Sequence, residues 1–254
     1  MLRKTLIATA FVLATGCVTV EETVGGKVQM PVDGVAAADN RIALGLNYLR
    51  NGQRPRARDN FQQAIELAPN YYRATLSMAY YYQQVREYDR AESYYKDALR
   101  KHGRNGDVLN NYGVFLCGQK RYQAGIDLFE RAVDLTDYSA VASTYENAGL
   151  CALGLGDETL SGEFFVKALD HDPNRPISSL KLSQIQIDTG DYTAARFNLT
   201  RFVEQYGYNP DSLWLLVQLE DKAGRPTERD RYADLLGSQF PQSKRYQQYL
   251  ANDN

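Results

Sequence analysis

Two histidines and three cysteines are the side chains from which this sequence would most readily build a catalytic or metal centre. His102 and His171 each fall where a helix is predicted to end, a place where polar or cationic side chains commonly meet unpaired carbonyls. No Gly-rich phosphate loop, no His/Cys set at metal-ligand spacing and no nucleophile elbow accompanies them. Glu21 and Glu22 are adjacent carboxylates in a segment with nothing to hold a substrate. Glu228 and Asp230 alternate with Arg229 and Arg231, the pattern of a solvated charged face and not of an acid/base pair. The residues therefore predict no enzyme, no cofactor, no metal and no small-molecule substrate.

The elements that carry these residues are constrained by composition. The apolar (44%) and charged (24%) fractions are those of a folded chain. With 29 basic against 31 acidic residues there is no cationic excess to attract phosphates, which argues against nucleic acid as a partner. Tyrosine outnumbers phenylalanine, 19 to 9, and suits thin cores because its ring can be buried while its hydroxyl stays wet.

The N-terminus reads as an address. Arg3 and Lys4 precede a short apolar run from Leu6 to Ala14, then small residues ending at Gly16 and Cys17. This is the order of an export signal, and the run is too short to span a bilayer. Leu13-Ala14-Thr15-Gly16-Cys17 resembles a bacterial lipobox, although the usual Leu stands one residue further from the Cys. The resemblance implies residues 1–16 as a lipoprotein signal peptide and Cys17 as the lipidated residue, anchoring the protein to a membrane. Val18 after the Cys, where an Asp would retain the protein, implies the outer membrane, on its periplasmic face. Residues 17–37 contain Gly25, Gly26, Pro31 and Gly34 without helical period and are expected to form a flexible tether.

Small residues recur at Gly45, Ala79 and Gly113, each 34 residues after the last. Ala57, Phe61 and Ala64 return as Ala91, Tyr95 and Ala98, and again as Gly125, Phe129 and Ala132. A fourth copy follows a two-residue insertion, with Gly149, Phe165 and Ala168. A fifth is weaker, and the last is degenerate, with Arg229 and Ala233 where Ala and an aromatic belong. The physical reading is two antiparallel helices per unit, a small residue in the first admitting the aromatic of the second. Over residues 38–243 this resembles the tetratricopeptide repeat. The expected fold is therefore all-α, a right-handed superhelical solenoid of six repeats at 38–71, 72–105, 106–139, 142–175, 176–209 and 210–243, with 244–254 as a tail in which Arg245 to Leu250 continue as a solvating last helix.

The repeat resemblance also implies which positions of each first helix look inward: Ile42, Leu46, Leu49 and Arg50; Arg73, Leu76, Tyr80 and Gln83; Asn110, Asn111, Val114, Glu146, Asn147 and Leu150. From these, an apolar strip of Ile42, Leu46, Leu49, Leu76 and Tyr80 is expected to receive an apolar peptide or amphipathic helix. Asn110, Asn111 and Asn147 would hydrogen-bond its backbone. The competing reading is that the apolar residues are ordinary core or pack on the tether. Cys117 and Cys151 fall on first helices of neighbouring units. They form either a disulfide clipping units three and four together or two buried free thiols.

The stretch Asn110-Asn111-Tyr112-Gly113-Val114-Phe115-Leu116, with Gln119-Lys120-Arg121-Tyr122, Tyr145-Glu146-Asn147-Ala148-Gly149-Leu150, Phe240-Pro241 and the Tyr-Gln-rich end at Tyr246-Gln247-Gln248-Tyr249, resembles the PilF/PilW family of type IV pilus biogenesis lipoproteins. That resemblance implies a pilotin: an outer-membrane scaffold that binds secretin subunits and promotes their localisation and multimerisation. Two other repeat lipoproteins would share the architecture, one serving β-barrel assembly and one docking peptidoglycan enzymes.

Overall fold

A computed structural model describes residues 33–252, and within them every regular element is an α-helix. The first repeat is α1 (Gly34–Arg50) and α2 (Arg54–Leu67); the second is α3 (Tyr72–Gln84) and α4 (Tyr88–Lys101). The third is α5 (Gly106–Gly118) and α6 (Tyr122–Val133), and the fourth α7 (Val141–Leu155) and α8 (Glu158–His171). The fifth is α9 (Pro176–Asp188) and α10 (Tyr192–Tyr206), the sixth α11 (Pro210–Lys222) and α12 (Pro226–Gln239), and α13 (Lys244–Asn252) ends the array.

One boundary differs from the sequence expectation. Helix α1 begins at Gly34, so the last four residues assigned to the tether are helical. The last helix expected in the tail forms, and it does more than solvate the end: α13 packs on α11 and α12 through Tyr246 and Tyr249, against Trp214 and Leu236. It takes the place of the first helix of another repeat, which covers the otherwise bare end of the solenoid. The signal segment, Cys17 and the carboxylates Glu21 and Glu22 lie outside the described residues.

Each unit closes on the contact that its period implies. Phe129 is buried, and its ring lies 2.6 Å from where a Cβ on Gly113 would stand; Phe165 and Gly149 repeat the arrangement at 2.7 Å. A side chain at either glycine would displace the ring that fills the unit. The turn between paired helices repeats as well. One residue in each turn adopts positive φ, and in four repeats it is Gly52, Gly156, Gly190 or Gly224. The second and third repeats use Arg86 (φ 64°) and Lys120 (φ 62°) instead. A side chain in this region costs about 1–2 kcal/mol. Lys120→Gly should therefore raise stability by about 0.5–1 kcal/mol, net of the extra freedom glycine gives the unfolded chain. An unchanged or lower urea midpoint would show that the lysine side chain is held by something worth as much as the strain.

Between repeats two and three, Glu92 on α4 reaches Tyr112 Oη (3.0 Å), Arg121 (2.7 Å) and Lys96 (3.0 Å). Burial works against its charge, but Arg121, Lys96 and the Tyr112 hydroxyl outweigh it and hold the carboxyl at about 2. A depressed carboxylate stabilises the fold above its unfolded pKa, and that contribution is lost as the pH falls toward the folded value. Acidifying from about pH 5 to pH 2 should remove on the order of 1–2 kcal/mol through this group, allowing for its partial exposure. Urea unfolding of Glu92→Gln should lack that increment; an identical acid dependence in both proteins would assign it to other carboxylates.

Candidate binding face

The curvature of the array decides which side chains can meet a partner. Successive odd-numbered helices touch one another from α1 through α13, whereas no even-numbered helix touches the next even-numbered one. The solenoid therefore bends toward its first helices, and these line the concave face.

Of the five apolar residues expected there, only Tyr80 is presented to solvent, at 40% exposure. Ile42 is buried with Ala64, Ala68 and Ala74, and Leu76 with Ala91, Tyr95 and Leu109. Leu46 and Leu49 are half-buried against the cluster around Phe61 and Met78. The strip is thus mostly core, because the fifth position of a first helix turns toward the neighbouring repeat. The exposed apolar line runs along the ninth positions: Tyr80, Val114 (40%) and Leu150 (38%), continuing the half-buried Leu46. Stepping Tyr80 forward by the period leads to Val114 directly, and the two-residue insertion then leads to Leu150.

The asparagines divide in the same way. Asn110 accepts from Thr144 Oγ1 (3.2 Å) and Asn147 Nδ2 (3.0 Å), so this pair knits α5 to α7 instead of waiting for a ligand. Asn111 is exposed and donates only to its own helix, at the Asp107 carbonyl (2.8 Å). Glu146 is not available either. It is buried and accepts from Arg175 (2.7 Å), Ser178 N (3.1 Å) and Ser178 Oγ (2.7 Å).

Charges on this face are paired between equivalent positions of adjacent repeats. Asp39 meets Arg73 (3.1 Å), Asp188 meets Lys222 (2.7 Å) and Asp211 meets Arg245 (2.6 Å). No sequence motif announces these ladders, but each joins residues one period apart.

Cys117 on α5 and Cys151 on α7 are bonded, with Cα atoms 5.6 Å apart. Room for the sulfurs comes from Gly125 on α6, which stands where the first two repeats have Ala57 and Ala91. A Cβ there would meet Cys117 Sγ and lie 2.9 Å from the Gly113 carbonyl.

The histidines engage aromatic neighbours. His102 lies edge-on to Tyr72, with ring centroids 6.1 Å apart, and His171 stacks on Tyr145 at 5.6 Å. Glu228 pairs with Arg231 and Asp230 with Arg229. Among the described residues no group of three His, Cys, Asp or Glu side chains could hold a metal, and no helix is long and apolar enough to cross a membrane.

Comparison with known proteins agrees with this geometry. The tetratricopeptide-repeat family profile matches residues 38–71 and 76–140. The type IV pilus assembly protein PilF of Pseudomonas aeruginosa is 32% identical over 247 residues, covering 96% of this chain and 97% of that protein. An uncharacterised Haemophilus influenzae protein is 37% identical over 116 residues, 46% of this chain and 65% of its own. Among solved structures, PilF of Pseudomonas aeruginosa superposes with a TM-score of 0.73 at 30% identity, over 86% of this chain and 99% of that one. PilW, described as a widely conserved type IV pilus biogenesis factor, gives the same TM-score at 23% identity, over 84% and 98%, a likeness of fold.

Proposed function

We propose, for a chain that belongs to the PilF/PilW family of type IV pilus biogenesis proteins, the role of a binding scaffold: its concave face engages a secretin subunit while a lipid on Cys17 holds the pair at the outer membrane. The observation that carries this reading is the exposed line of Tyr80, Val114 and Leu150 on a face whose carboxylates and most of whose cations are already paired. Apolar side chains left wet along a concave surface gain roughly 25 cal/mol per Å² when a partner covers them. Catalysis is no part of the proposal, since a scaffold needs only to hold its client and to be held.

Deletion of the gene, followed by membrane fractionation, tests the role. Heat-resistant secretin multimers are expected to be lost from the outer membrane while a folded porin is unaffected. Normal multimers with a failing porin would move the protein to β-barrel assembly. Altered cell shape with intact pili would instead favour docking of peptidoglycan enzymes. Restoring the gene with Cys17→Ala tests the anchor: the protein should leave the outer-membrane fraction, and retention there would dismiss the lipid.

A further inference from the structure

We infer that the concave face takes an apolar segment bearing acidic residues at both ends. This rests on the reading of that face as the partner site and adds the chemistry of what fills it.

The middle of the face is apolar and uncharged at its exposed positions. Tyr80, Val114 and Leu150 form the line, Asn111 and Gln84 are neutral, and Gly118 adds no side chain. The carboxylates along the inner side are each engaged. Asp39, Glu146, Asp188 and Asp211 are paired with Arg73, Arg175, Lys222 and Arg245, and Asp107 accepts from the Tyr72 hydroxyl (2.8 Å). The same pairs consume most of the cations. Among the described residues, the side chains of Arg50, at the end of α1, and Lys181, in α9, are exposed and have no ion pair or hydrogen bond. The uncommitted cations therefore stand at the two ends of the apolar line, one in the first repeat and one in the fifth.

That arrangement sets the length and the charge pattern of the occupant. Neighbouring first helices lie about 8–10 Å apart, so four steps separate Arg50 from Lys181 by roughly 32–40 Å. An extended chain at about 3.3 Å per residue covers this in roughly 10–12 residues. Carboxylates at its ends would meet Arg50 and Lys181, and apolar side chains between them would cover the line. A segment with basic ends would place like charges together, so the two cations also select against it.

Two fluorescein-labelled peptides of about 14 residues, the estimated span plus its flanks, test this. They share a core of alternating Leu, Val and Ser and carry Glu-Glu or Lys-Lys at both ends. Fluorescence anisotropy with the full mature protein is expected to show the Glu-ended peptide binding at least tenfold more tightly. Arg50→Ala with Lys181→Ala should erase the difference, and Val114→Glu should remove binding of both peptides. Equal affinity for the two peptides, with Val114→Glu still abolishing binding, would overturn the charge inference and leave the face as the site. Binding untouched by Val114→Glu, or no binding of either peptide, would overturn the inference together with the site. Circular dichroism of each variant separates these outcomes from unfolding.

Discussion

Reduction of the bond between Cys117 and Cys151 is expected to cost the array about 4 kcal/mol, from the chain entropy of closing a loop across a sequence separation of 34. The loss should be concentrated at the boundary of repeats three and four, since each repeat in a solenoid is stabilised by its neighbours. Urea unfolding with and without a phosphine reductant measures it, and Cys117→Ser with Cys151→Ser should reproduce the reduced protein. Two thiols alkylated in denatured, unreduced protein, with no shift of the midpoint on reduction, would sink the prediction. A second substitution probes the same place from the other side. Gly125→Ala installs the residue that the first two repeats carry, yet it should destabilise the oxidised protein, because its Cβ would meet Cys117 Sγ. In the reduced protein the penalty should shrink, as the freed sulfurs can rotate away.

What was legible in the sequence follows from what repeats. Gly45, Gly113 and Gly149 must be small because Phe61, Phe129 and Phe165 need the space, and a steric rule of that kind keeps the position small through the first five copies. The unit boundaries and the helix pairs were therefore visible. The binding face was not, because inward-looking positions are a family average that does not tell a residue facing the groove from one turned toward the next repeat. Ile42 and Leu76 fell on the wrong side of that distinction, and Glu146 did too, since its partner Arg175 lies 29 residues away in a loop. Helix α13 was legible as a last, solvating helix, but its packing was not, since that depends on a surface that α11 and α12 create together. Arg86 and Lys120 gave no sign of left-handed backbone, because that conformation ordinarily announces itself through glycine.

The weakness of the fifth repeat in the sequence has a structural meaning, and Glu146→Ala should expose it at a cost of about 3–5 kcal/mol. Apolar clusters bridge the other neighbouring repeats, but one ends on α8 at Phe164 and the next begins on α9 at Leu180 and Ile187. Ser178, Ser179 and Ser183 of α9 are all buried. A polar bridge crosses this junction: the Glu146 carboxylate, held by Arg175 and by both donors of Ser178. Removing the carboxylate leaves Arg175, only 20% exposed, without that partner, and strands the Ser178 donors. Replacing both charges, as Glu146→Leu with Arg175→Met, should recover most of the loss, because a buried pair exchanged for packed apolar groups is often neutral or better. Hydrogen exchange should show α9 to α13 opening before α1 to α8 in Glu146→Ala, with the double variant restored to a single transition. A wild-type midpoint in Glu146→Ala would mean that packing outside this network holds the junction. The position matters for binding as well as stability. Arg50 and Lys181 stand on opposite sides of this junction, so the carboxylate that fixes α9 against α7 also fixes the span that a partner segment must match.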